Sequence, residues 1–202
     1  MERGRPRGFD PDQALDRALE VFWRDGFQGA SLSALTEAMG INKPSLYATF
    51  GDKSSLYLKA LQRYGERESA NGLKALRTEP DARRAIESFL RSAVRVLTDP
   101  ARPAGCFVVN GSADCGLEGT PQVVQQALRL AQQAGESAIR ERLKQARKDA
   151  QLPPDADIAA LAAYFAAVAA GLSVQAKAGA TRAKLDSAVG VAMQAWPARA
   201  RK

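Results

Sequence analysis

Histidine is absent from the sequence, and cysteine occurs only twice, at Cys106 and Cys115. Without histidine the chain lacks the commonest general base and the commonest metal ligand, and no Ser-His or Cys-His nucleophile pair can form. Two thiols cannot close a zinc site, nor do they make a disulfide framework in 202 residues, so a reducing, cytoplasmic setting is expected. The phosphate-cradling patterns GxGxxG and GxxxxGKS/T are missing, as is the nucleophile elbow GxSxG. Carboxylates are scattered without evident pairing, and neither an enzyme nor a metal or cofactor is expected. Aromatic residues make up 6% of the chain and β-branched runs are nearly absent, so the expected fold is all-α. The first eight residues are polar and basic, without the apolar run of a secretory signal.

What is present is organised around Ser31–Phe50, SLSALTEAMGINKPSLYATF. Leu32, Leu35 and Met39 fall at i, i+3 and i+7, one face of a helix that Ser31 caps. Gly40 follows, able to take the positive φ that ends a helix sharply, and Ile41 gives the turn an apolar plug. Asn42 caps a second helix with Pro44 in its first turn, where a missing N–H costs nothing. Leu46 and Phe50 form its inward stripe; Lys43, Ser45, Tyr47 and Thr49 point elsewhere. Helix, tight glycine turn, helix is the helix-turn-helix pattern.

The flanks extend the pattern. Asp10 and Pro11 start a preceding helix whose apolar face is Ala14, Leu15, Ala18, Leu19 and Phe22; Gly26 ends it, and Trp23 and Phe27 close a small core. Gly51-Asp52 breaks and restarts the chain, and Leu56, Tyr57, Leu61 and Tyr64 mark a longer helix running toward residue 75. Across residues 9–64 the order and spacing of Ala18, Phe22, Gly26, Ser31, Leu35, Gly40, Ile41, Leu46, Tyr47, Phe50, Lys53 and Leu56 resemble the DNA-binding domain of TetR-family (AcrR-like) transcriptional regulators. The resemblance implies a three-helix DNA-binding head over 9–64 and a linker helix. It also implies a helical body over 65–202 that dimerises and binds an effector, about nine helices in all. Lys43 would then donate to a base edge or phosphate in the major groove, with Pro44 and Ser45 beside it against a thymine methyl and a phosphate. Tyr47 and Thr49 offer hydroxyls to the DNA backbone, and Ser33 and Lys53 add phosphate contacts. Relatives often carry His or an aromatic where Thr49 stands, so that contact is expected to be shorter or absent. Tyr47 reads equally as a half-buried core tyrosine.

Bulk charge does not mark this head. The chain carries net +7, yet residues 1–63 hold nine Lys/Arg against eight Asp/Glu, while residues 64–202 hold twenty against fourteen. Individual cations must therefore carry the contact. Residues 1–8 form a basic arm in which Arg3, Arg5 and Arg7 surround a Gly and a Pro. Arg-Gly-Arg-Pro resembles the core of AT-hook peptides, whose arginines lie in a narrow minor groove; the plain alternative is a solvated tail.

In the body, Asp81 caps a helix with Ile86, Phe89, Leu90, Ala93, Val94 and Leu97 inward. Pro100 and Pro103 make a loop, and GCFVVNGSADCG reads as a short helix and loop, similar to a stretch in some subfamilies of these regulators. A long helix runs from Pro121 through Ala150, its charged run Arg140–Lys148 expected to be a solvated face. After Pro153-Pro154, the residues Ile158, Leu161, Phe165, Val168 and Leu172 step by 3, 4, 3 and 4, a heptad seam among Ala and Gly. Ala contributes little to membrane insertion, and Asp157 and Gln175 flank the stretch, so no membrane is expected. Thr181 caps a last helix. Ile158, Leu161, Leu172, Leu185, Val189, Met193 and Trp196 are expected at a symmetric four-helix interface between protomers. An effector pocket is expected among Phe89, Cys106, Phe107, Leu128, Tyr164, Phe165 and Val168, which are otherwise plain core.

These readings converge on a homodimeric repressor, released from a palindromic double-stranded DNA operator by a small-molecule effector that the sequence does not name. Two alternatives stand beside it. Cys106 is either a sensor of oxidants or electrophiles or a small buried hydrophobe, and the chain might instead be read as a helical carrier without specific DNA readout.

Overall fold

Side-chain caps set most helix starts in the computed structural model, which describes residues 8–67, 70–116 and 118–197. Arg3, Arg5 and Arg7 lie outside the described residues, as does the basic tail after Pro197. Asp10 Oδ1 accepts from the Asp12 N–H at 2.9 Å and opens α1 (Pro11–Gly29). Ser31 Oγ accepts from Ala34 N at 3.0 Å at the start of α2 (Leu32–Met39), and Asn42 Oδ1 from Ser45 N at 2.9 Å at the start of α3 (Lys43–Phe50). Asp52 does the same for α4 (Lys53–Arg67), its carboxylate 2.7 Å from Ser55 N. Asp81 caps α6 (Ala82–Leu97), Asp157 caps α9 (Ile158–Lys177) and Thr181 caps α10 (Arg182–Ala192). Between them lie α5 (Ala70–Thr78), the short α7 (Phe107–Ser112) and the long α8 (Gln122–Lys148), and a 3-10 turn over Met193–Ala195 follows α10. Among the described residues there is no strand.

Two cores hold these helices together. The first joins α1–α4 through Ala18, Phe22, Leu35, Met39, Leu46, Phe50, Leu56 and Tyr57, and it continues into Phe107 of α7 and Val124 and Leu128 of α8. The head core therefore does not stop near residue 64. Three aromatics explain why: the Tyr57 ring meets Phe22 at 4.9 Å, Phe27 at 5.5 Å and Phe107 at 5.1 Å between centroids, and no three-helix head alone could cover so much ring. The second core packs α6, α8, α9 and α10 with Leu76 of α5.

Three expectations are corrected. The helix expected to run on toward residue 75 is described as α4 to Arg67 and a separate α5 from Ala70, whose Leu76 is buried in the second core. The run Arg140–Lys148 is not wholly solvated: Ile139, Arg142, Leu143 and Ala146, spaced by three, one and three, are buried on the inner side of α8. The heptad seam turns inward rather than toward a partner. Ile158, Phe165, Leu172, Leu185, Val189 and Met193 are buried in the protomer's own core, with Leu161, Val168 and Trp196 packed half-buried against it. The large side chains gain most from burial, and the nearest apolar surface is that of α6 and α8. Left outside is a face of small residues, Ala160, Ala163, Ala167 and Gly171 on α9 and Ala188 on α10. Tyr164, Val174 (56% exposed) and Val191 (65% exposed) lie among them. α9 is, among the described residues, the one helix long and apolar enough to cross a membrane, and its alanines account for that.

Candidate nucleic-acid interface and ligand cavity

The turn between α2 and α3 is built as its sequence demands. Gly40 sits at φ 67° and ψ 31°, the Ile41 N–H reaches back to Thr36 O at 3.1 Å, and Gly40 N donates to Glu37 O at 3.1 Å. Leu46 and Phe50 anchor α3 inward, which turns Lys43, Pro44, Tyr47 and Ala48 to solvent and leaves Ser45 and Thr49 half-buried. Tyr47, 49% exposed, is therefore a surface residue and not a core tyrosine. Ser33 is exposed on α2. Lys53 is placed differently from its neighbours. Its Nζ lies 4.6 Å above the Phe27 ring, and burial pushes its pKa down while the charge of Asp114 acts the other way. Arg17, which the sequence did not single out, brings Nη1 close to the turn: a Cβ on Gly40 would stand 3.4 Å from it. An exposed arginine on the outer face of α1 was the available signal.

Salt bridges fix α4 across α1. Arg63 Nε meets Asp16 Oδ1 at 2.9 Å, Arg67 Nη1 meets the same oxygen at 2.6 Å, and Arg63 Nη1 reaches Asp12 at 3.3 Å. Desolvation alone would raise the Asp16 carboxyl, but the hydrogen bonds and charges of Arg63 and Arg67 outweigh it and hold its pKa below the ordinary value. A folded-state pKa below the unfolded one, about 3.9, gives stability complete above that value and lost as pH falls through the folded value. Asp16→Asn is expected to melt earlier than the parent near neutrality and to converge with it below about pH 3. Melting curves from pH 7 down to pH 2 check this, and a constant gap between the two proteins would contradict it.

The far side of α1 is tied to the body. Trp23 Nε1 donates to Gly105 O at 3.0 Å, Asp114 accepts from Phe27 N at 2.7 Å, and Gln28 Nε2 donates to Thr120 Oγ1 at 2.8 Å. Next to Gly105, Cys106 N donates to Ser173 Oγ of α9 at 2.8 Å, and the Tyr64 hydroxyl, its pKa pushed up by burial, donates to Cys106 Sγ at 3.2 Å. Head, α7 loop and α9 thus meet within one short stretch of hydrogen bonds.

That stretch borders a cavity of about 1460 Å3 between α4, α5, α6, α8 and α9. Tyr64, Leu73, Leu76, Phe89, Ala93 and Val96 contribute its apolar wall. Of the residues expected there, Phe89 and Cys106 line it. The other five are placed elsewhere: Phe107 and Leu128 are fully buried in the first core and Phe165 in the second. Val168 packs half-buried against the second, and Tyr164 stands on the outer face with its hydroxyl 3.5 Å from Ala192 O. A helix periodicity shows which residues share a face, not which neighbouring helix that face meets.

An exposed second helix on a glycine turn, set in a head whose core continues into a hollow helical body, defines a helix-turn-helix regulator with its own ligand domain. The comparisons with known proteins place it further. Residues 14–60 match the bacterial regulatory proteins, tetR family, and residues 82–192 match the tetracyclin repressor-like, C-terminal domain. The chain belongs to the TetR family. It is 31% identical over 196 residues to the HTH-type transcriptional repressor ComR of Escherichia coli (strain K12), covering 96% of this chain and 92% of that protein. It is 32% identical over 191 residues to the HTH-type transcriptional regulator YezE of Bacillus subtilis (strain 168), covering 94% and 97%. In structure it is similar to a cysteine mutant of the TetR family regulator CifR complexed with 26-bp double-strand operator DNA. There the TM-score is 0.90 at 42% identity, over 96% of this chain and 100% of that one.

Proposed function

We propose that this protein is a cytoplasmic transcriptional repressor that binds a palindromic operator as a homodimer and leaves it when a small molecule fills the cavity. The exposed face of α3, held at both ends by the Asn42 cap and the buried Phe50, is the observation that carries the DNA reading. Lys43, Pro44, Ser45, Tyr47 and Thr49 stand where a helix laid in the major groove meets bases and phosphates, with Ser33, Lys53 and Arg17 toward the flanking backbone. Lys53 would swing off the Phe27 ring to reach a phosphate. Arg3, Arg5 and Arg7 enter the adjacent minor groove. The second copy packs on the small-residue face of α9 and α10, where Ala163, Ala167 and Gly171 let helices approach closely. No catalytic step belongs to this reading.

Release follows from differential binding. A ligand that binds better when the wall at Tyr64 and Cys106 moves shifts the population toward heads wrongly spaced for two half-sites. The hydrogen bonds from Trp23 to Gly105 and from Cys106 to Ser173 would transmit that movement.

A footprint on the promoter beside its own gene tests the regulator reading, because a carrier would protect nothing there. Lys43→Ala is expected to weaken operator affinity about tenfold without altering the melting temperature, in keeping with about 1–3 kcal/mol for one good base contact. Deleting residues 2–7 is expected to flatten the salt dependence by up to about three units of slope, one per phosphate released. An unchanged slope measured by fluorescence anisotropy between low and high salt would remove the arm from the interface.

A further inference from the structure

We propose that the cavity takes an amphipathic ligand with a carboxylate head on an apolar body, and that Arg142 anchors the head. The inference rests on reading the cavity as an effector site. Arg142 lines that cavity from α8 and keeps 8% exposure. Its Nη2 donates to the carbonyls of Glu79 and Pro80 at 3.0 and 2.8 Å, whereas Nη1 is buried with no hydrogen-bond partner. The acidic residues that also line the cavity are engaged elsewhere. Glu141 binds Lys144 Nζ at 2.8 Å, Glu136 pairs with Arg140, Asp149 accepts from Gln145 Nε2 at 2.8 Å, and Glu79 accepts from Asp81 N at 3.2 Å.

A purely structural role does not account for a guanidinium here. The α5–α6 turn is already clamped by Gln151, which donates to Pro80 O at 2.9 Å and accepts from Ala82 N at 2.6 Å. A buried cation without a carboxylate is costly, and a buried donor without an acceptor adds to that cost. An anionic head offsets both, through a charge-assisted hydrogen bond of the kind arginine makes best. Since Nη1 is closed off from solvent, a head that reaches it past a rotated wall side chain displaces no water from it. The rest of the cavity suits the ligand's body. Phe89, Ala93, Val96 and Ala166 are apolar, and 1460 Å3 exceeds the roughly 300–1,000 Å3 of most small-molecule pockets.

The test uses the full chain without DNA, titrated calorimetrically with decanoate, 1-decanol and decylammonium, three heads on one tail. The wild-type protein is expected to bind decanoate at least tenfold more tightly than 1-decanol, with decylammonium weakest. Arg142→Gln is expected to bring decanoate and 1-decanol within about twofold of each other, and Arg142→Lys to keep part of the preference. Equal wild-type affinities, no binding of decanoate, or a preference that survives in Arg142→Gln would overturn the proposal. If Arg142→Gln does not fold, the wild-type comparison of heads decides alone. Because no operator enters the titration, a carboxylate preference in a protein that leaves no footprint would sink the repressor reading and spare this one. A footprint without the preference would do the reverse.

Discussion

Gly111→Ala is expected to lower the stability of the folded protein by about 2 kcal/mol, a fall of roughly 4–8 °C in melting temperature for a chain of this size. Gly111 is buried on α7 against the first core, and an added Cβ would stand 2.4 Å from the Tyr57 hydroxyl oxygen and 3.0 Å from Leu128 Cδ2. Neither neighbour can withdraw easily. Leu128 is fully buried, and the Tyr57 ring is boxed in by Phe22, Phe27 and Phe107. Alanine's better helix propensity offsets about 1 kcal/mol of an overpacking cost that would otherwise be larger. The Tyr57 hydroxyl also has no hydrogen-bond partner, and burial pushes its pKa up, so it stays neutral. Tyr57→Phe removes an unsatisfied buried donor and is expected to be neutral or slightly stabilising. Combined with Gly111→Ala it should restore most of the lost stability, a coupling that thermal denaturation of the four proteins measures directly. Full stability in Gly111→Ala, or no rescue in the double variant, would show that α7 does not bear on α4 as described.

The second large effect lies where α1 meets the body. Gly26 interrupts α1 at φ 73° and ψ −177°, a combination essentially restricted to glycine. A Cβ there would stand 2.7 Å from Asp114 Oδ2, the same oxygen that accepts the Phe27 N–H at 2.7 Å. Gly26→Ala therefore meets backbone strain and also pushes away the carboxylate that holds the next residue. The expected cost is about 3 kcal/mol or more, from roughly 1–3 for the strained residue and a similar amount for the lost hydrogen bond. Phe27 carries Lys53 on its ring, so the start of α4 should shift and operator affinity should fall with stability. Gly29→Ala is the control, since its Cβ would meet nothing nearer than Asp25 Cβ at 3.5 Å. Melting curves and operator titrations of both variants separate the cases. Two proteins that melt together would mean that strain at Gly26 does not matter.

Both sites lie between the head and the body, and that is where reading the chain in order fell short. The caps Asp10, Ser31, Asn42, Asp52, Asp81 and Thr181 were all legible in the sequence, because a cap acts on the backbone two or three residues away. The same holds for Gly40 and for the split of α3 into buried Leu46 and Phe50 and outward Lys43 and Tyr47, which follows from a period of 3.6. Family membership was legible for the same reason: fifty residues of local pattern carry it.

Other features depend on helices far apart in the chain. The seam Ile158–Leu172 has a clear spacing, but spacing is blind to whether the facing helix belongs to the same protomer, and here α6 and α8 claim it. Arg142 looks like one more cation in a charged run, until Pro80 and Glu79, some sixty residues earlier, supply its acceptors and the fold removes its water. Phe107 joins the head core only because α7 folds back onto α1 and α4, and the cavity exists only because α5 and α9 stand apart around it. Local order in this protein was written in residues up to about two turns apart, where hydrogen bonds and periodicity act. Burial, the unpaired guanidinium and the choice of inward face were decided by contacts between distant segments, which tertiary packing alone brings together.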